Sequence, residues 1–484
     1  GIAATNWIAN NVTANSSTTT IDLSNGNTIK FTQTANTTVS FANTGTSSLL
    51  TFIRANGSGT ITWPSSVKWT NGAEPTIITN PRSSDAQVFN FLTRDEGVTW
   101  YAWEDVNIDP QTNEMYMWGN NYYGENMLNV GQGYKRSSPI QIPGTSWNSV
   151  TDSRNLSSVY ISFATKNDGT LWVAGSPKSD GTGSNRGLTA QNNDALYSSP
   201  VQIPGTTWTN FIVNTTSAAA ATKTDGTLWV WGQNTSGQLG QNNRTNYSSP
   251  VQIPGTTWST AKGVISGGNT YFLAIKTDGT LWSWGEGNYG NFGTNQSAVK
   301  RSSPVQITGT TWRTVCSDGW SNNIATRTDG TLWSWGYNGD GNLGQNSRTH
   351  RSSPTQIPGT NWSEAINTGN RSALATRTDG TLWAWGYNGS GMLGQDNTTR
   401  YSSPVQIPGT TWGTDFEKMG SVSYSKAVIK TDGTLWTWGQ NEVGQLGINN
   451  KTDYSSPKQV PGTSWVEVGG QGSGKTFFGL KQSG

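Results

Sequence analysis

The sequence predicts an all-β protein in two parts: a seven-bladed β-propeller over residues 109–484, and a separate β-sandwich or jelly-roll-like domain, read as antiparallel, over residues 1–108. Three observations predict it. A short apolar strand ending in glycine occurs seven times: MYMWG (Met115 to Gly119), LWVAG (Leu171 to Gly175), LWVWG (Leu228 to Gly232), LWSWG (Leu281 to Gly285 and Leu332 to Gly336), LWAWG (Leu382 to Gly386) and LWTWG (Leu435 to Gly439). The copies lie roughly fifty residues apart, the period of a blade array. A hairpin run precedes six of them, as in AATKTDG (Ala220 to Gly226) and IATRTDG (Ile324 to Gly330). A seventh, FGLKQSG (Phe478 to Gly484), ends the chain with no WG strand after it, while the first WG strand has no such run before it. Pairing the C-terminal hairpin with the strand at 114–119 closes a ring and removes both free sheet edges. The third observation is period-two alternation through the first hundred residues.

In the amino-terminal part the strands expected are Thr20 to Gly26, Asn27 to Thr34, Thr37 to Gly45, Ser48 to Gly57 and Gly59 to Pro64. Asn25-Gly26 and Asn56-Gly57 are read as hairpin turns, because both residue types tolerate positive φ. Ala86 to Asp105 gives two more strands across Asp95-Glu96-Gly97. Residues 1–17 show no alternation and are expected to form an arm or a frayed end. The stretch Thr60 to Thr79 followed by Val88 to Trp103, with its WP, VKW and TWYAW elements, resembles a β-module of tail and fibre proteins of bacterial viruses. The resemblance implies a structural or attachment unit.

One repeat, from Trp258 to Thr311, is expected to place a strand at Ala261 to Ile265, a break at Gly267-Gly268, a strand at Thr270 to Lys276, a Thr277-Asp278-Gly279 turn and a strand at Thr280 to Trp284. Trp229 and Trp231 share one strand face and Leu228 and Val230 the other, so each blade needs cover on both sides. Leu239 and Ile203 are candidates to pin the long loops. Prolines 139, 200, 250, 304, 354, 404 and 457 stand in SSP ahead of a short β segment, which is outer-strand chemistry because proline donates no ladder bond.

The set TDGTLWxWGxNxxGQLG…SSPxQIPGTxW, clearest at Asp225 to Ile253 and Asp432 to Val460, resembles the regulator of chromosome condensation repeat family over residues 113–484. The resemblance implies a seven-bladed propeller of four-stranded blades closed by both chain ends. The chain departs from the family where a His-Thr pair usually precedes the second strand, and Ala174 stands where tryptophan is expected. It also lacks the GWRH-like motif of ultraviolet-sensing members and the signature residues of members that act on a small nuclear GTPase.

The composition sets limits on chemistry. Charged residues make up 12%, and the formal net charge is +2, with no basic surface of the kind nucleic acid requires. Cys316 is the single cysteine, which excludes an intrachain disulfide. No run of 18 apolar residues occurs, so no transmembrane helix and no membrane insertion are expected. No basic-then-apolar leader is present, and the start at Gly1 leaves earlier processing open. No catalytic, cofactor-binding or metal-binding residues are assigned, and no cofactor and no enzyme activity are expected. His350, the single histidine, occupies a loop place held elsewhere by Asn246, Asp453 or Arg400 and has no nucleophile beside it. Asp168, Asp225, Asp278, Asp329, Asp379 and Asp432 are explained as turn residues rather than calcium ligands. The GSGKT at Gly472 to Thr476 lacks the first glycine of a phosphate loop and should run into a strand instead of a helix. Most of the 25 tryptophans recur at fixed repeat positions, namely the WG strand and Trp147, Trp208, Trp258, Trp312, Trp362, Trp412 and Trp465, and are read as structural.

Together the two parts predict a bacteriophage virion surface protein of tail-fibre or receptor-binding type. It would mount on virion structural proteins as a homo-oligomer, a trimer in a fibre, and recognise a host-surface glycan or protein through variable loops. The loops that vary most are Asn126 to Lys135, Pro177 to Ala195, Asn288 to Lys300 and Asn338 to Arg351. The alternative is a decoration or structural protein of a capsid, tail or bacterial surface that binds no receptor. The location expected is the virion exterior or, in a cell, the extracellular surface.

Overall fold

The computed structural model describes residues 9–14, 18–22, 28–33, 36–42, 48–57, 61–69, 86–93, 98–104, 113–121, 134–144, 146–150, 160–176, 187–192, 197–214, 218–319, 321–471 and 475–482. The chain divides into two compact units, Gly1–Thr112 and Asn113–Gly484.

The first unit contains β1 (Ala9–Ala14), β2 (Thr18–Asp22), β3 (Thr28–Gln33), β4 (Thr37–Ala42), β5 (Ser48–Gly57), β6 (Ile61–Thr62), β7 (Val67–Trp69), β8 (Ala86–Thr93) and β9 (Trp100–Glu104). They form two sheets, ordered β1-β3-β5-β8-β9-β7 and β2-β4-β6. The antiparallel reading is corrected here. β1, β3 and β5 pair in parallel, as do β2, β4 and β6, and antiparallel pairing starts only at β5/β8 and β8/β9. Successive strands alternate between the two sheets, so ladder neighbours are two strands apart and point the same way. Asn56-Gly57, expected as a hairpin turn, lies inside the end of β5, and Asn25-Gly26 lies outside the described residues. A strand, β1, also stands where an arm or frayed end is expected; it pairs with β3 through backbone bonds that need no alternation. Phe41 of one sheet meets Phe91 and Trp100 of the other, with ring centroids 5.4 and 4.7 Å apart.

The second unit is a seven-bladed propeller. Among the described residues, seven four-stranded antiparallel sheets follow one another. Blade 2 is typical, with strands Trp208–Val213, Ala218–Lys223, Leu228–Gly232 and Tyr247–Ile253. We number blades 1 to 6 from Trp147 onward. Blade 7 takes Trp465–Gln471 and Thr476–Gln482 from the end of the chain and Asn113–Asn121 and Tyr134–Gln141 from its start. Met115 pairs with Leu480 and Trp118 with Phe477 across that junction.

Each hairpin turn is a three-residue loop. In blade 2 the Lys223 carbonyl accepts from Gly226 N, and the Gly226 φ of 77° is the left-handed step that a side chain resists. Asp225 Oδ1 accepts from the Thr227 hydroxyl at 2.6 Å and from its N–H at 3.0 Å. Trp229 Nε1 in turn donates to that hydroxyl at 2.8 Å.

In the outer strand, Ser248, Ser249 and Pro250 face Trp231 alone, because pairing resumes only at Gly232 with Tyr247. The proline sits in this bulge, where no ladder donor is required.

Two bonds join one blade to the next. The second tryptophan of the third strand donates to a loop carbonyl of the preceding blade, as Trp231 does to Leu188, Trp385 to Asn342 and Trp118 to Gln445. A left-handed Asn or Asp in the same loop donates its N–H to the neighbouring outer strand: Asn242 to Ser302, Asn346 to Ser402 and, across the closure, Asn449 to Ser137. Leu239 and Ile203 are fully buried. So is Ala174, which packs with Met115, Met117 and Phe478.

The strand expected at Ala261 to Ile265 is replaced by a turn, and the strand itself is Ile265–Gly267. The ladder stops after the isolated bridge Trp258–Lys276 because Gly263 takes a φ of 74°. Blade 6 interrupts its first strand in the same way, with a bridge Trp412–Lys430 and a 3-10 turn at Phe416–Lys418. The two interruptions meet: a methyl on Gly263 would stand 2.6 Å from the Phe416 ring. Beside them Lys262 Nζ reaches Glu467 Oε2 at 3.3 Å, and Glu467 Oε1 accepts from the Ser149 hydroxyl and from Val150 N. Blades 1, 3, 6 and 7 are thus tied together where their first strands converge.

Candidate functional site

The loops that follow the WG strands are held from within. Asn338 Oδ1 accepts from Leu343 N at 2.9 Å, and its Nδ2 donates to the Ser347 and Thr349 carbonyls. Asn234, Asn388 and Asn441 repeat the clamp on Leu239, Leu393 and Leu446. Asparagine alone offers an acceptor and two donors on so short a stem. Such loops present side chains from a fixed backbone.

His350 belongs to this scaffold. Asn338 N donates to its Nδ1 at 2.9 Å, as Asn234 N donates to Asn246 and Asn441 N to Asp453. An accepting Nδ1 leaves the ring proton on Nε2. The imidazole stacks on Tyr337 at 4.9 Å and meets the edge of Tyr289 at 5.2 Å. Tyr289 is 54% exposed and has a φ of 56°, a conformation that costs a bulky residue energy and is found at functional sites.

Next to this aromatic group stands a guanidinium pair. Asp340, buried, binds Arg400 Nη1 at 2.7 Å and Arg371 Nη1 at 3.3 Å. Arg400 holds the place that His350 has in the previous blade, yet it reaches across instead of accepting a backbone bond. Its guanidinium lies over Tyr387 at 4.6 Å, and that of Arg371 lies 5.9 Å from Tyr337. Arg371 sits in a two-residue turn with Asn370, both at positive φ, and its N–H donates to Asp318 Oδ2 at 3.2 Å. Tyr387 meets Tyr424 at 6.1 Å. The loops of blades 3 to 6 therefore build one patch of tyrosines, a histidine and two arginines whose guanidinium groups share Asp340. Such a patch can stack on planar or sugar surfaces and pair with anionic groups.

The loops singled out in the sequence contribute Tyr289, Asp340 and His350. Residues 126–133 and most of Pro177 to Ala195 lie outside the described residues. Sequence reasoning missed Tyr337, Arg371, Tyr387 and Arg400. The signal was there in part: WG is followed by Tyr-Asn-Gly in blades 4 and 5 and by Gln or Glu in blades 2, 3 and 6. The turn aspartates lie apart from the patch, each engaged by its own threonine. Cys316 is buried, its sulfur 3.0 Å from the Thr368 hydroxyl. Lys475 and Thr476 lead into a β-strand, while Gly472 to Gly474 lie outside the described residues. No cluster of three metal-ligating side chains occurs among the described residues, and no helix among them is long and apolar enough to cross a membrane.

The sequence model of the regulator of chromosome condensation (RCC1) repeat matches residues 225–275, 278–317, 329–375, 379–416 and 432–473. Over 246 residues the chain is 29% identical to the ultraviolet-B receptor UVR8 of Arabidopsis thaliana, covering 50% of this chain and 44% of the receptor. Over 85 residues it is 35% identical to the E3 ubiquitin-protein ligase HERC2 of Homo sapiens, 17% of this chain and 2% of the ligase. The chain thus spans less than half the length of these curated relatives. Among solved structures, yeast RCC1 (Prp20) bound to Kap60 superposes with a TM-score of 0.64 at 17% identity, over 77% of this chain and 89% of that one. Human WBSCR16 gives 0.64 at 16% identity, over 77% and 100%. At such identities the likeness is one of fold.

Proposed function

We propose that this chain, an RCC1-repeat propeller preceded by a second β unit, is a recognition protein without enzymatic activity that engages a surface partner through the patch of blades 3 to 6. The observation that carries the reading is the convergence of Tyr289, Tyr337, His350, Arg371 and Arg400 from adjoining loops and turns of blades 3 to 5. Exposed tyrosine and arginine are the residue types that concentrate binding energy at interfaces. Among the described residues the hydrogen bond of His350 is to Asn338 N and not to a hydroxyl or thiol, so no nucleophile is paired with its base, which fits binding rather than turnover.

The resemblance of residues 18–103 to tail and fibre modules supports a finer form of the proposal. The protein is a bacteriophage virion surface component that mounts through its amino-terminal unit, assembles as a homo-oligomer and recognises a host-surface glycan or protein. The test is binding of purified, labelled protein to intact host bacteria. Saturable binding that falls about tenfold or more in a Tyr289→Ala/Arg371→Ala double variant, with circular dichroism unchanged, is the expected result. Equal binding by the two proteins rejects the patch. Absence of saturable binding on any host, with the subunit spread over a shell or tube, rejects surface recognition.

A further inference from the structure

The chain has a single histidine, so His350 supplies its one imidazole, the side-chain type whose charge ordinarily changes between about pH 5 and 8. That imidazole stands inside the recognition patch. Its ring stacks on Tyr337 at 4.9 Å and meets the edge of Tyr289 at 5.2 Å, and the two tyrosines meet each other at 5.4 Å. Each of the three rings thus touches the other two, and Tyr289, more than half exposed, rests on both partners.

The place that His350 fills is an acceptor's place. The N–H of the loop asparagine donates to Asn246 Oδ1 at 2.8 Å in blade 2 and to Asp453 Oδ1 at 2.6 Å in blade 6. In blade 4 the corresponding N–H, that of Asn338, donates to His350 Nδ1 at 2.9 Å. An amide or carboxylate oxygen accepts at neutral and mildly acid pH alike, whereas an imidazole offers Nδ1 only while the ring is neutral. Once protonated it carries a donor at both nitrogens, and no rotation of the ring restores an acceptor. Two N–H groups would then face each other, and the amide would lose its bond.

Blade 5 shows what a cation does at this position. Arg400 has nothing to accept with, and it crosses to Asp340 Oδ1 at 2.7 Å instead of meeting the Asn388 amide. The backbone stays closed all the same: Asn388 Oδ1 accepts from Leu393 N, and its Nδ2 donates to the Asn397 and Thr399 carbonyls. Asn338 holds its own loop by the same bonds, to Leu343, Ser347 and Thr349. A protonated His350 therefore loses its seat while the loop keeps its shape.

The surroundings do little to hold the cation. The titratable groups against the ring are the Tyr289 and Tyr337 phenols. Beyond them, Arg371 lies 5.9 Å from the Tyr337 ring and brings a second positive charge close by. In the histidine's own loop Arg348 is exposed, and the chain neighbour Arg351 donates to Gln345 Oε1. In the Tyr289 loop Glu286 is engaged by Lys300 and Ser236, and Asp340 is engaged by Arg371 and Arg400. Among the described residues His350 forms no ion pair. An imidazolium on the Tyr337 face gains a partly exposed cation–π contact, which is worth less than a hydrogen bond whose loss orphans a part-buried amide.

We infer that His350 is an acid-sensitive latch of the recognition patch: the neutral ring docks on the Asn338 amide and holds Tyr289 and Tyr337 in their binding arrangement, and protonation swings it away and breaks the triad. The inference rests on the reading of the patch as the recognition site and adds its regulation, a partner held at neutral pH and released in acid. Because the released ring takes up a proton that the docked ring excludes, acidification favours release and neutral pH restores docking.

The test uses the full chain labelled with nitrogen-15, in which one histidine gives one pair of ring-nitrogen signals. At about pH 8 the expected pattern is a bare, hydrogen-bonded Nδ1 and a protonated Nε2. Acidification to about pH 5 should protonate both, and the Asn338 amide signal and the Tyr289 and Tyr337 ring signals should move with the same midpoint, while the Leu343 amide stays in place. His350→Asn, which puts the acceptor of blade 2 at the site, should abolish that shared movement. Binding of labelled protein to host bacteria should weaken about tenfold over the same interval, the scale of one lost ring contact, and in His350→Asn it should be level across pH whatever its strength. A proton on Nδ1 at the upper pH overturns the inference. So do Asn338 and tyrosine signals that ignore the ring's titration, or that still move in His350→Asn. Cell binding that is equal at both pH values while the ring titrates overturns the latch and leaves the recognition patch standing. Absence of cell binding at both removes the recognition reading; a shared midpoint of ring, amide and tyrosine signals then still supports the latch, and separate midpoints overturn it.

Discussion

At the scale of single residues, the turn aspartates show how much structure one carboxylate can fix. Asp225, Asp278, Asp329, Asp379 and Asp432 are each held below the ordinary carboxylate range, first by the following threonine's hydroxyl and then by its N–H. A carboxyl whose folded value is depressed contributes stability that is present above its unfolded value, near pH 4. That contribution is lost as the pH falls through the lower folded value. Thermal unfolding followed by circular dichroism is therefore expected to show a melting temperature that drops below about pH 4. A five-fold Asp→Asn variant, which keeps the accepting oxygen and loses the ionisation, should flatten that acid limb. An unchanged acid limb would show that other carboxylates set it.

At the scale of elements, the third strand of each blade carries two constraints at its end. Its glycine takes a left-handed φ, 105° at Gly336, and a methyl there would overlap the Ser321 carbonyl of the adjoining strand. Gly336→Ala is thus expected to destabilise the protein by about 2 kcal/mol or more, read as a shift in the denaturation midpoint. The tryptophan before it holds the neighbouring blade, so Trp385→Phe, which removes the bond to Asn342 and part of a fully buried ring, should cost about 2 kcal/mol or more. A loss below about 1 kcal/mol would show that the blades adhere without this side chain.

At the scale of the ring, two features break sevenfold equivalence. One is closure, in which Asn113–Asn121 lies between Thr476–Gln482 and Tyr134–Gln141. Deleting residues 476–482 exposes two sheet edges and is expected to turn a monodisperse propeller into an aggregating one on size exclusion; a monodisperse product would show that blade stacking suffices. The other is the axis, where Lys262, Ser149 and Glu467 join blades 3, 1 and 7. Lys262→Met removes the ion pair with Glu467 and should cost about 3 kcal/mol, whereas Lys262→Met/Glu467→Gln should recover part of that in the same denaturation measurement.

The sequence by itself determined the blades, because each carries its own turn, bulge and packing residues within one repeat. The hairpin TDG, the WG stop, the GQLG loop and the proline of the outer strand all act on chain neighbours, and local chemistry of that kind is readable from residue order. The open ends of the array were legible for the same reason, since a hairpin without a third strand and a third strand without a hairpin are each visibly incomplete. Only the tertiary structure decided what depends on residues from different blades meeting. Nothing in the order of residues showed that the turns at Gly263 and Phe416 face each other, or that Arg400 would cross to Asp340 while His350, at the same repeat position, accepts a backbone bond. The parallel pairing of β1 to β6 was equally hidden, because period two records which face of a strand is buried but not which strand lies beside it. A repeat sets its internal contacts by spacing along the chain, whereas the recognition patch, the axis and the sheet order are set by distances through space that spacing does not encode.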